Sequence, residues 1–92
     1  MIGNFVLVRT KSAGVHAGTL KESHGTAATL ADARRLWSWV GAFTLHEAAL
    51  HGVGEASRIS QPVPLILLTE AIEVIPCTKK AAENLSRSRN GA

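Results

Sequence analysis

The 92-residue chain lacks most of the devices that stabilise small domains. It has one cysteine, Cys77, so no internal disulfide can form. No Cys/His spacing suits a structural zinc site. "HEAALH" (46–51) comes nearest to a metal motif, but His46 and His51 are five residues apart, whereas the helical zinc pair is spaced by four. No apolar run approaches the roughly 20 residues that cross a bilayer; the longest, "VPLILL" (63–68), is strand-sized. The opening "MIGNFVLVRT" has neither a basic n-region nor a long apolar h-region, so no secretory signal is expected and the expected location is the cytoplasm. With 46% apolar and 18% charged residues and no staple, a domain of this size is expected to gain stability by self-association as a homo-oligomer.

Catalytic motifs are also missing. Neither G-x-S-x-G nor G-x-x-x-x-G-K-[ST] occurs. Cys77 follows Pro76 at the end of an apolar stretch and reads as a buried, inert thiol. His16 and the glutamates could serve a hydrolase as acid and base, but no spacing fixes such a pair. The expectation is a non-enzymatic protein with no metal and no cofactor.

The pI of 9.6 belongs to one end of the chain. Residues 1–78 hold six basic and six acidic side chains, whereas residues 79–92 hold four basic against one acidic. The chain therefore reads as a β-rich domain over 1–78 and a basic tail over 79–92, with "SRSRNGA" as a polar, disordered end. A neutral body cannot supply the many phosphate contacts of a general nucleic-acid binder, so nucleic acid is an unfavoured partner.

Patterning is mainly that of strands. "NFVLVRT" (4–10) puts Phe5, Leu7 and Arg9 on one face and Val6 and Val8 on the other. "VHAGTLKE" (15–22) predicts a second strand, "AATLADA" a third or its approach, and "RRLWSWV" (34–40) a further one. "TLHE" (44–47) has the form of a capping box, with Thr44 bonding the Glu47 N–H and Glu47 reaching back to the Thr44 N–H. A helix over about 45–51 follows, stopped at Gly52. "RIS" reads as a short strand, and "LILLTEAIEVIPC" (65–77) as one strand or two with a kink at Thr69–Glu70. Thr78 could cap a terminal helix. The expected fold is mainly β. It is a small antiparallel barrel or twisted sheet of five to six strands, with one internal helix and a helical or disordered tail.

Three strings, "RTKSAGVHAGTL", "ADARRLWSWVGAFTLHE" and "EAIEVIPCT", resemble a family of small phage and prophage proteins of unknown function. The resemblance implies a viral origin and action in the cytoplasm of an infected bacterium. "VHAGTL", a turn and "TLADA" also resemble the second and third strands of Sm-like small barrels. The aspartate and asparagine usual at that turn are absent, with His24 and Gly25 in their place, so the barrel shape is kept and the uridine specificity is not.

"RRLWSWVG" (34–41) carries the chain's two tryptophans. Strand alternation puts Arg35, Trp37 and Trp39 on one side. Either the indoles fill a core or oligomer interface, or they offer a stacking face, worth roughly 1–3 kcal/mol per base. Arg9, Arg34, Arg35, Arg58 and His16 are the groups available to an anion, and "AGVHAG" sets His16 between Gly14 and Gly18. The leading expectation is a phage anti-defence protein that sequesters a small phosphorylated, nucleotide-type host signalling molecule through Arg9, His16, Arg34, Arg35, Trp37, Trp39 and Arg58. The alternatives are an accessory protein that binds a host protein through an exposed apolar edge, and an Sm-like nucleic-acid binder.

Overall fold

A computed structural model describes residues 1–91. The elements are β1 (Phe5–Thr10), β2 (Val15–His24), β3 (Ala27–Ser38), α1 (Leu45–His51), β4 (Arg58–Ile59), β5 (Val63–Leu68), β6 (Ala71–Pro76) and α2 (Lys79–Leu85). Six strands form one antiparallel sheet in the order β4-β3-β2-β1-β6, with β5 also on β3. The mainly β expectation, with one internal helix and a C-terminal helix, is what the chain adopts.

The sheet is open, which corrects the barrel and Sm-like expectations. Only Thr69 and Glu70 separate β5 from β6, yet the two strands go to opposite edges, β5 onto β3 and β6 onto β1. The linking backbone bonds elsewhere: the Ala71 N–H donates to Thr26 (2.9 Å), and Glu70 accepts from the Lys11 N–H (2.9 Å). Those bonds tie the linker to the β2–β3 turn and to the end of β1, and satisfy its backbone without a β5–β6 ladder.

β3 is one strand of 12 residues where the sequence suggested two. Its first half, Ala28 to Ala33, pairs with β5, and its second half, Leu36 and Ser38, pairs with β4. Between them Asp32 sits at φ 49°, a left-handed conformation tolerated by aspartate better than by most residues. Across on β2, Ala17 pairs with Arg34 and Thr19 with Ala31, so β3 carries one extra residue there. Gly18 lies opposite this bulge. A Cβ on it would come within 2.8 Å of the Ala31 carbonyl oxygen, so the bulge needs a glycine facing it.

Two apolar clusters flank the sheet, and β1 alternation feeds both as the sequence implies. Leu7 joins Val15, Ala17, Leu36 and Ile59 beneath Ala48, Ala49, Ala81 and Leu85 of the two helices. Val6 and Val8 join Leu20, Leu30, Ala33 and Leu68 on the other side. α1 spans the expected residues. The Thr44 hydroxyl accepts from the Glu47 N–H (3.1 Å), while the Glu47 carboxylate accepts from the Phe43 N–H (2.7 Å), one residue earlier than a standard box. Gly52 closes α1 at φ 81°, with the Asn84 side chain pressed against it.

The C-terminal segment packs onto the body. Ala81 and Leu85 are fully buried, and Asn84 clasps Val53 by accepting from its N–H (2.9 Å) and donating to its carbonyl (3.0 Å). Beyond α2 the chain returns to Ile59, exchanging two backbone bonds with Arg89 (2.9 and 3.0 Å). Arg87 and Arg89 both bind the Glu55 carboxylate (3.0 and 2.9 Å), so two of the tail's four cations are neutralised within the fold. Leu85→Ala is therefore expected to cost about 2–5 kcal/mol in urea unfolding, as for other buried leucines. A change under about 0.5 kcal/mol would mean a tail merely resting on the domain.

Candidate functional site

The seven candidate residues are spread over four places. Arg9 lies in a groove of about 380 Å³ with Trp39, Phe43, His46 and Glu73, and is neutralised there by Glu73 at 2.9 Å. Trp39 packs against the helix-side cluster at one wall of that groove. Trp37 is half exposed, and the Arg58 guanidinium lies over its ring, 4.9 Å from the centroid. Arg34 donates to the Ser88 hydroxyl (3.2 Å) and the Asp32 carbonyl (3.3 Å). His16 and Arg35 meet in a second cleft of about 370 Å³.

The shared face expected of Trp37 and Trp39 fails for a local reason. Alternation governs side chains only while the chain stays in the sheet. β3 ends at Ser38, pairing with β4 already slips between Leu36 and Ser38, and the Val40 N–H donates to the Ser57 hydroxyl (3.0 Å) instead of to a strand. The indoles diverge, and one face of Trp37 is covered by Arg58. A base held between the two tryptophans is therefore not available in one chain.

The His16/Arg35 cleft has the better-defined chemistry. β2 and β3 set the two residues directly across from each other. His16 is only 5% exposed. Its ring Nε2–H donates to the Ala13 carbonyl at 2.8 Å, which leaves Nδ1 as an acceptor. Burial, and to a smaller degree the nearby Arg35 charge, hold its pKa below the usual 6.5 against that hydrogen bond, so the ring is neutral at physiological pH. Arg35 also donates to the Ala13 carbonyl and rests over Gly14, where a Cβ would sit 3.4 Å from its Nε. Among the described residues no carboxylate pairs with Arg35, in contrast to Arg9, Arg87 and Arg89. The remaining wall is apolar, from Ala33, Val63, Ile66, Leu67 and Leu68.

β5 and the Ser60–Gln61 corner lie outside the seven residues that the sequence pattern points to. Ser60 locks Arg35 in place by accepting from its N–H (2.9 Å) and donating its own to the Arg35 carbonyl (3.0 Å). The available signal was the charge-free "VPLILL" beside "SQP", which has too few polar positions for a strand with one side in water. Elsewhere, burial pushes the Cys77 thiol up to about 11, so it is protonated at neutral pH. Among the described residues no group of three potential metal ligands occurs, and no helix is long and apolar enough to cross a membrane.

Residues 3–85 match a family described as a domain of unknown function, DUF6948. The chain belongs to the DUF6948 family. No curated protein and no solved structure matches it. The expected kinship with small phage and prophage proteins gives way to this membership. The DUF6948 description carries no viral origin, anti-defence role or nucleotide binding, and the open sheet removes the barrel on which the Sm-like likeness rested.

His16 gives this DUF6948 domain a pH signature. Its folded pKa lies below its unfolded value near 6.5, so the unfolded chain takes up the proton first as pH falls. Stability held above about 6.5 is then lost as pH drops towards the folded pKa. Urea midpoints between about pH 7.5 and pH 5 should fall in the native chain and flatten in His16→Gln. Equal slopes in both proteins would remove His16 as the titrating group.

Proposed function

We propose that this domain is a non-enzymatic, self-associating binding protein of the cytoplasm that holds a small organic anion in the His16/Arg35 cleft. One observation carries the reading: a guanidinium without a carboxylate partner among the described residues stands at the wall of a largely apolar cleft of about 370 Å³. A pocket of that size falls in the range of small-molecule sites. At about 30 Å³ per water-sized group it admits roughly a dozen non-hydrogen atoms. The matching ligand has an apolar body and one anionic head, carboxylate or phosphate, for the fork of Arg35. Neutral His16 adds an acceptor without a second charge. Its Nε2–H is already bonded to Ala13, so it stands as a fixed wall and not as a proton shuttle. Arg9, paired with Glu73, and Arg34, turned to Ser88, are left out of this reading.

Octanoate and octyl phosphate are the probes, and octanol is the neutral control. The two acids should shift the amide resonances of His16, Arg35 and Leu67, and whichever binds more tightly identifies the preferred head. Arg35→Met should weaken that binding about ten- to hundredfold, the worth of a charge-assisted hydrogen bond. Octanol binding as tightly as octanoate, or Arg35→Met without effect, would remove the anion site.

A further inference from the structure

The edge formed by β4 and β5 is blunted by Pro62 and Pro64, yet its longer strand, β5, lacks the charge that its counterpart carries. On the far side, β6 carries Glu73 paired with Arg9, ends at Pro76, and meets β1 through an irregular register at Arg9/Thr10. β5 has no charge in its six residues. Ile66 and Leu68 turn towards the core, while Val63, Leu65 and Leu67 are 45%, 61% and 62% exposed. Such an edge can template another strand. Its two ends carry opposite, uncompensated charges. Arg58, on β4, stacks on Trp37 and has no carboxylate partner among the described residues. Glu70, just past β5, accepts the Ser12 hydroxyl (2.6 Å) and has no cation partner among them.

We infer that a second copy of this chain adds to the β5 edge, antiparallel about a two-fold axis near Leu65. This rests on the self-association proposed above and names its surface. The symmetry sets Leu65 against Leu65 of the second copy, and Val63 against Leu67 of the second copy, matching exposed apolar residues on one face. It also brings the Arg58 end of each copy to the Glu70 end of the other. Arg58 lies seven residues before Leu65 and Glu70 five after. The offset of about 7 Å, at roughly 3.3 Å per residue, is within reach of two long side chains. An unrelated edge would have to carry both charges in the right order, whereas a copy supplies them by symmetry. Pro62 and Pro64 remove two backbone donors, so the ladder is short and the dimer belongs among weak interfaces. Val63 and Leu67 also wall the His16/Arg35 cleft, so pairing places that cleft beside the interface.

Sedimentation velocity on the full chain should show a monomer–dimer equilibrium on the order of tens of micromolar. Arg58→Glu and Glu70→Arg should each weaken it at least about tenfold, and the two together should restore it to within about threefold. Leu65→Lys should yield monomer with an unchanged circular dichroism spectrum, because Leu65 is exposed within one copy. A monomer at every concentration overturns both this pairing and the self-association behind it. A dimer indifferent to each single charge reversal and to Leu65→Lys overturns only the β5 pairing. Titration of octanoate into Leu65→Lys reads the cleft separately.

Discussion

Asp32 and Gly18 face each other across β2 and β3, and much of the architecture follows from that meeting. β3 has to serve β2 along one side and both β4 and β5 along the other. A straight ribbon of 12 residues would carry its partners off in one direction. The left-handed turn at Asp32 inserts an extra residue, and Gly18 makes room for the displaced backbone. After the bulge, Arg34 and Arg35 face Ala17 and His16, which brings the buried imidazole and the guanidinium to one cleft.

Of the six arginines, Arg34 is taken up by the Ser88 hydroxyl and the Asp32 carbonyl, and the other five fall into two groups. Arg9, Arg87 and Arg89 are held by Glu73 or Glu55, and those contacts tie β1 to β6 and the C-terminal segment to the loop before β4. Arg87 and Arg89 hold the exposed Glu55 carboxyl below its ordinary pKa. Arg35 and Arg58 lie on the β5 side of β3 without such partners among the described residues. An unmatched guanidinium next to apolar surface is where an external anion, or the acidic end of another chain, gains most by binding. Both proposals about function therefore point to the same side of the molecule.

Local features were legible in the sequence wherever local chemistry decides the outcome. The α1 limits follow from Thr44 and Gly52, and the two-sided packing of β1 follows from its alternation. Long-range choices were not legible. Nothing in "LLTEAIEV" says whether the strands on either side of Thr69–Glu70 pair with each other or with β3 and β1, and that choice separates a barrel from an open sheet. Extrapolating alternation past Ser38 put Trp37 and Trp39 together when only the first belongs to β3. The basic count after residue 78 suggested a free tail because composition does not reveal that Glu55, some thirty residues earlier, receives two of those arginines. His16 and Arg35 were both among the candidates. Their direct opposition depends on the β2–β3 register, and the bulge that sets it lies in a short stretch of small residues that gives no pattern of its own.

β3 is the centre of the sheet, pairing with β2, β4 and β5, and β5 is its proposed working edge. Backbone hydrogen exchange at a low and a high protein concentration tests this most directly. The slowest amides should lie in β3 and β2 at both concentrations, β5 should gain protection as concentration rises, and β6 should not change. If β5 and β6 exchange alike at both concentrations, or if β3 opens before the outer strands, the account is contradicted.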